Sequence, residues 1–309
     1  MAVAVFKHIT ALPIAKISVK VSGETGAPMP GIPVNAGFVL PYNAWADSFK
    51  GYSLKAITDK DGFVSFEGKT TREVSCSIKI DGYYHTIDSS YLGLAVEDGK
   101  WQPWNPTIEL VLKPILNPIP MYARRVDTVQ MPVLDRPVGF DLIESDWVAP
   151  HGKGKVADLL FTLEKQYTSV EQPFEITLTV RFSNEDDGIQ SVLAPTNVGS
   201  ELRLPRYAPE SGYLPELIKS NSRTSSTAMI QRDYRDDQNY FFRVRTVKKD
   251  KKIVSAHYGK IDGDIEFWGN EKLRFTYYLN PTPNDRNMEF DPKRNLLKGL
   301  KDTETVTSP

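Results

Sequence analysis

Three acidic residues, Asp262, Asp264 and Glu266, alternate through the stretch IDGDIEFW. On an extended strand, alternate side chains share one face, so these three are the best candidates for holding a cation. Other carboxylates gather at Asp186–Asp187 and at Asp233, Asp236 and Asp237. A glycosidase needs two carboxyl groups roughly 5–9 Å apart. Sequence spacing does not supply that separation, and loop carboxylates are ordinarily solvated. Asp59 and Asp61 stand just before Gly62 in TDKDGF. If Asp59 opened a calcium loop, Phe63 would fall at the fifth position and Thr70 at the twelfth, where oxygen ligands and a glutamate are required. An Asp-Gly turn between two strands accounts for the same residues.

VAPHGKGKV carries the Gly154-Lys155 pair of a phosphate-binding loop. That loop needs a first glycine five residues earlier and a hydroxyl after the lysine. Ala149 and Val156 stand there instead, and a glycine turn flanked by solvated lysines is the reading that remains. His8, His85, His151 and His257 show no metal-binding spacing. A Ser-His-Asp set can assemble from distant positions, but the chain lacks the G-x-S-x-G elbow. Cys76 is the one cysteine, which excludes an intrachain disulfide and a zinc site of several thiolates. Its place within VSCSIKI fits a small buried hydrophobe. No cofactor is implied.

The aromatic residues carry more information. Trp101 and Trp104 sit three apart in EDGKWQPWNP, with Tyr91 nearby. Trp and Tyr on sandwich loops can stack on sugar rings or anchor protein interfaces, so these three are the candidate ligand platform. Trp45, Trp147 and Trp268 also fall near loops or strand ends, where core and corner roles are the ordinary reading. Trp147 reads as an anchor for the turn 146–154. Arg286 and Arg294 lie among Asp285, Glu289 and Asp291, and they read as structural clamps pinning the C-terminal region through Arg–carboxylate bonds.

What must position these residues is a set of strands. Alternation of period two dominates, and 22 prolines and 20 glycines interrupt it at short intervals, a pattern of many short strands. IAKISVKVSG, FVSFEG, SCSIKI, TIELVL, FEITLTVRFS and LRFTYYL all read this way. YFFRVRTVKKDKKIVSAHYG reads as a hairpin with a charged tip. Short helices are expected only around Pro215–Ser220 and Asp291–Leu300. The net charge of -1 gives no field for nucleic acid or an anionic surface, Asp250 breaks the basic run RVRTVKKDKK, and no apolar run is long enough to span a bilayer.

GAPMPGIPVNAGF, AITDKDGFVSFEG and SIKIDGYYHTI together resemble the carboxypeptidase regulatory-like (transthyretin-like, CNA-B-like) sandwich. That family shows a G-x-P-x-x-G-x-x-V opening, a T-D-x-x-G-x-F/V hairpin and a strand ending in G-Y. The likeness covers Ala15–Pro114, about a third of the chain, and implies a non-catalytic accessory module of extracytoplasmic or surface-assembly proteins. NPIPMYARRV, GFDLIESDWVAPHGKGKVADLLF and YYLNPTPNDRNMEFDPKRNL resemble a group of bacterial proteins that pair such a sandwich with a second β-domain, a pairing that implies no particular function.

The expected fold is therefore all-β, with two β-sandwich-type domains joined by a Pro-rich linker. The N-terminus shows no clear signal-peptide pattern and reads as an extended arm, 1–13. The regulatory-like sandwich follows over 14–115 and the linker, with Pro118 and Pro120, over 116–123. A second sandwich or jelly-roll-like domain with long loops occupies 124–300, and 301–309 is a polar tail without core-forming residues. The leading expectation for function is a non-catalytic structural or adhesive protein of a cell-surface or extracellular assembly. Its partners would be other protein subunits, a second copy of itself included. The alternatives are a carbohydrate-binding protein using the loop Trp and Tyr residues, and a virion or filament subunit made in the cytoplasm and then assembled. A hydrolase using the acidic loops is the reading from a different class.

Overall fold

A computed structural model describes residues 12–43, 48–71, 73–91, 93, 95–196 and 198–309. The arm up to residue 11, with His8, and Trp45 lie outside the described residues, as does the side chain of Tyr91. The chain is all-β and divides into two compact units, one of Met1–Leu116 with Asn197–Arg203, the other of Asn117–Thr196 with Leu204–Pro309.

Unit 1 holds β1 (Ile14–Gly23), β2 (Pro33–Asn43), β3 (Ser48–Ile57), β4 (Phe63–Lys69), β5 (Glu73–Ile78), β6 (Thr86–Tyr91), β7 (Val96–Glu97), β8 (Lys100–Trp101) and β9 (Thr107–Leu112). Unit 2 holds β10 (Tyr122–Gln130), β11 (Val138–Asp141), β12 (Asp146–Trp147), β13 (Leu159–Gln166), β14 (Phe174–Arg181) and β15 (Gly188–Leu193). The chain then returns to unit 1 for β16 (Gly199–Ser200). Unit 2 is completed by β17 (Glu216–Arg223), β18 (Gln231–Arg232), β19 (Gln238–Lys249), β20 (Lys252–Ile261), β21 (Glu266–Phe267) and β22 (Lys272–Leu279).

In unit 1, β1 pairs antiparallel with β4 and parallel with β9, and β8-β7 extend that sheet. The facing sheet runs β16-β6-β5-β2-β3. Alternation in IAKISVKVSG turns Ala15, Ile17, Val19 and Val21 inward, where they meet Val34, Phe38, Phe66, Val74 and Leu110. Each large aliphatic or aromatic side chain so buried contributes about 1.5–3 kcal/mol. The Asp59 carboxylate accepts from the amides of Asp61 and Phe63, both at 2.9 Å, and Gly62 takes φ +80°. TDKDG is thus the tight turn into β4, and left-handed φ is what its glycine supplies. Lys113 donates to the carbonyls of Leu202 and Arg203, tying the excursion around β16 to unit 1.

Unit 2 is a sandwich of two six-stranded antiparallel sheets. One runs β10-β22-β20-β19-β15 with β21 on β22, the other β12-β11-β13-β14-β17-β18. Phe140, Trp147, Phe161, Leu178, Phe275 and Tyr277 fill the space between them. The first sheet is also covered on its other face, where Phe241, Tyr258 and Tyr278 pack beneath Leu204, Ala208, Met288, Phe290 and Val306. A sheet buried on both faces needs apolar residues at consecutive positions. That is why β19 contains YFF and β22 contains TYYL, where simple alternation breaks down. Val306 shows that the polar tail nonetheless supplies a core residue, at 4% exposure.

The two expected helices are corrected. Pro215–Ser220 falls mostly in β17, whose eight residues all pair with β14; isolated helical propensity there is overridden by sheet pairing. Within Asp291–Leu300 only Pro292–Arg294 turns, as a 3-10 element whose Asp291 side chain accepts from the Lys293 amide at 3.0 Å.

Candidate functional site

Asp262, Asp264 and Glu266 do not share a strand. β20 ends at Ile261, Gly263 turns the chain at φ +87°, and only Glu266 enters β21. Asp264 turns inward and is almost fully buried. Its two oxygens take the Lys219 ammonium at 2.7 and 2.8 Å, the Tyr240 hydroxyl at 2.6 Å and the Arg235 amide at 3.1 Å. Fixed donors thus occupy both Asp264 oxygens. Among the described residues, no group of three acidic, His or Cys side chains is arranged to hold a metal. Burial and the Asp264 hydrogen bond push the Tyr240 hydroxyl far above its ordinary pKa.

Beside Glu266 and Trp268 lies a cleft of two lobes. The first, about 230 Å³, is lined by Asn221, Arg232, Asp233, Tyr234, Glu266 and Trp268. The second, about 250 Å³, adds Tyr167, Phe174, Ile176 and Ile230 and shares Asn221, Arg232, Phe267 and Trp268 with the first. Each lobe is smaller than a typical small-molecule site of roughly 300–1,000 Å³, so a ligand of any size would engage both through their shared residues. Strand pairing builds the cleft. β17 delivers Asn221, which donates to the Phe267 carbonyl at 3.2 Å, β18 delivers Arg232, and the tight turn after β21 delivers Trp268.

That turn is fixed from several sides. The amides of Trp268 and Glu271 close it with bonds of 3.2 and 3.0 Å, Lys165 donates to the Gly269 carbonyl at 3.3 Å, and the Arg274 guanidinium lies 5.3 Å from the Trp268 ring centre. Gly269 has a steric reason. A Cβ there would come 2.6 Å from the Tyr167 ring, so the ring lies directly on its backbone. Tyr167 in turn meets Phe174 edge-on at 5.5 Å. Tyr234, 48% exposed, offers a further ring to the first lobe. Aromatic rings beside amide, guanidinium and carboxylate groups can take a ligand that is apolar on one face and hydroxylated at its edge.

The sequence-flagged aromatics serve other ends. The Trp101 indole donates to the Thr70 carbonyl at 3.0 Å, and its partly buried ring packs against the unit 1 core. Trp104 is partly buried with the Lys100 ammonium 5.0 Å from its ring centre. Tyr91 ends β6. Trp147 is buried edge-on against Phe140 and Phe161 at 5.3 and 5.9 Å, so it faces the core of its own unit. Arg286 donates to the Ala208 carbonyl and to Glu210, and Arg294 clasps Asp291 and the Pro118 carbonyl.

The glycine turn after Trp147 is held by carboxylates. Asp146 accepts from the Lys153 amide, and Asp141 from the amides of Ile143, Glu144, Lys155 and Val156. A Cβ on Gly152 would meet the Trp147 carbonyl at 2.4 Å. Arg245 grips Asp158 with two bonds of 2.7 and 2.8 Å and reaches Asp141 at 3.2 Å. Cys76 is fully buried, and burial followed by the charge of Asp88 pushes its thiol up to about 12, which removes it as a nucleophile at neutral pH.

No protein-family model matches the chain, and no curated protein matches it by sequence. Among solved structures, chlorocatechol 1,2-dioxygenase from Pseudomonas putida aligns over 33% of this chain and 60% of its own, at 13% identity and TM-score 0.25. A DUF3823 family protein from Parabacteroides merdae aligns over 86% and 96%, at 8% identity and TM-score 0.23. BcpA, the major pilin subunit of Bacillus cereus, aligns over 85% and 95%, at 11% identity and TM-score 0.23. Likeness this distant carries no functional argument.

Proposed function

We propose that this is a non-catalytic binding protein of an extracellular or cell-surface setting, an adhesive component whose second unit takes carbohydrate in the Trp268 cleft. The observation that carries the reading is the cleft itself. Three rings, Trp268, Tyr167 and Tyr234, stand beside Asn221, Arg232, Asp233 and Glu266. The C–H face of a pyranose stacks on an aromatic ring, while its hydroxyls both donate and accept. Arg232 is a pure donor, Asp233 and Glu266 are acceptors, and the Trp268 and Tyr167 rings are held in place before any ligand arrives, which reduces the ordering cost of binding. Calorimetric titration with a panel of neutral and acidic oligosaccharides tests it.

Asp233 and Glu266 share the first lobe, and this favours a second reading, a glycoside hydrolase. Glu266 faces Arg274 at 3.4 Å, and Asp233 lies 3.9 Å from Lys219, an arrangement suited to holding a ligand. Turnover of fluorogenic glycosides, lost in Glu266→Gln, would move the assignment to this reading.

A further inference from the structure

The sheet edges of the two units are treated very differently. In unit 2 the outer edge of β10 is closed. The Asn295 side chain accepts from the Ala123 amide and donates to its carbonyl, Leu296 donates to Met121, and Arg125 donates to Glu304. The edge of β15 is closed by Leu214, which exchanges two backbone bonds of 2.9 and 2.8 Å with Ile189. The edge strands β7, β12, β16 and β18 are two residues each. Short or covered edges are how proteins avoid unplanned strand pairing. In unit 1, β4 is an edge of seven residues and β3 is the longest, at ten.

The direction of the free groups on β3 follows from its register. Thr58 donates to the Ile32 carbonyl at 3.0 Å, and β3 continues from there with Ala56 opposite Val34, Leu54 opposite Ala36 and Tyr52 opposite Phe38. Hydrogen-bonded and non-bonded pairs alternate strictly in an antiparallel ladder. Ala56, Leu54 and Tyr52 therefore turn their backbone groups to β2, while Gly51, Ser53 and Lys55 turn theirs outward. Among the described residues, no backbone group bonds to that outer row.

We propose that β3 is an assembly edge and that its partner is the β3 of a second copy of this chain, added antiparallel about a twofold axis through Ser53. The strand complements itself in that register. Ser53 stands opposite Ser53, Gly51 opposite Lys55, Tyr52 opposite Leu54 and Lys50 opposite Ala56 of the second copy. The outward rows of the two strands supply each other's missing donors and acceptors, and no lysine faces a lysine. An axis through Lys55 would set like charges directly opposite, which is unfavourable. Gly51 leaves room for this packing: a Cβ there would meet only the Phe38 carbonyl, at 3.8 Å.

Sedimentation of the full chain over a wide concentration range tests this, and its outcome does not depend on the cleft. The wild type is expected to dimerise reversibly. Ser53→Pro removes an outward amide that β2 does not use, so it should abolish the dimer while leaving the circular dichroism spectrum and urea midpoint in place. Gly51→Glu faces Lys55 of the second copy and should tighten the dimer, whereas Gly51→Lys should loosen it. Each change is roughly 2- to 30-fold in the dissociation constant, because the pair occurs twice per dimer. A wild type that stays monomeric at millimolar concentration overturns the proposal. So does a dimer indifferent to Ser53→Pro in a folded variant, or one that Gly51→Glu and Gly51→Lys move in the same direction.

Discussion

Both oxygens of Asp264 lie within 2.8 Å of the Lys219 ammonium, buried in unit 2. Removing one partner of a buried pair leaves an uncompensated charge and costs about 3–5 kcal/mol. Lys219→Met should therefore lower the unfolding free energy by that amount in urea denaturation. A loss under about 1 kcal/mol, the value of an exposed pair, would contradict a buried pair whose charges depend on each other.

Acid sensitivity should trace to Asp141. Burial by itself would raise its pKa, but the amides of Lys155, Val156, Glu144 and Ile143 outweigh that and hold it below the usual range. A carboxyl depressed in the folded state gives stability that is present above its unfolded pKa, about 3.9, and is lost as pH falls through the folded value. Asp187 runs the other way. Burial raises its pKa, so its share is largest at low pH and falls as pH rises through the folded value. Unfolding free energy measured from neutral pH down to about pH 2 should thus fall in the wild type below pH ~4. In Asp141→Asn the slope should be shallower, on a protein already weaker at neutral pH, because Asn offers one acceptor oxygen where Asp141 offers two to those amides. Equal slopes in the two proteins would contradict this.

Gly259 sits at a close approach in the two-sided sheet. A Cβ there would come 2.1 Å from the Phe242 ring and 2.4 Å from the Tyr278 carbonyl. Gly259→Ala should cost about 1–3 kcal/mol or more through forced shifts of ring and backbone, read as a lowered urea midpoint. Pairing it with Phe242→Leu should recover part of the loss, and no recovery would place the strain in the backbone contact.

Much of the architecture is legible in the residues. IAKISVKVSG shows its strand and its buried face directly, and TDKDG shows its turn, because both depend on neighbours in the chain. The run YFF in β19 hides its period, since a sheet covered on both faces has no polar side to reveal it. The Glu216–Arg223 strand hides for a different reason: what makes it a strand is β14, distant in sequence. The cleft was legible only in part. Trp268 stands out before a Gly-Asn turn, but Tyr167 and Tyr234 reach it through sheet pairing that no local pattern encodes. Asp262, Asp264 and Glu266 misled because Gly263 breaks the alternation that would have put them on one face.

The central claim is the carbohydrate cleft, and the most direct measurement is binding of the wild type, Trp268→Ala and Trp104→Ala to one immobilised glycan panel, with affinities followed up in solution. The account predicts that the wild type retains at least one glycan and that Trp268→Ala weakens it by roughly tenfold or more, as loss of a stacking anchor should. Trp104→Ala should bind as the wild type does. A wild type that retains no glycan, or binding that survives Trp268→Ala and disappears in Trp104→Ala, would contradict the assignment.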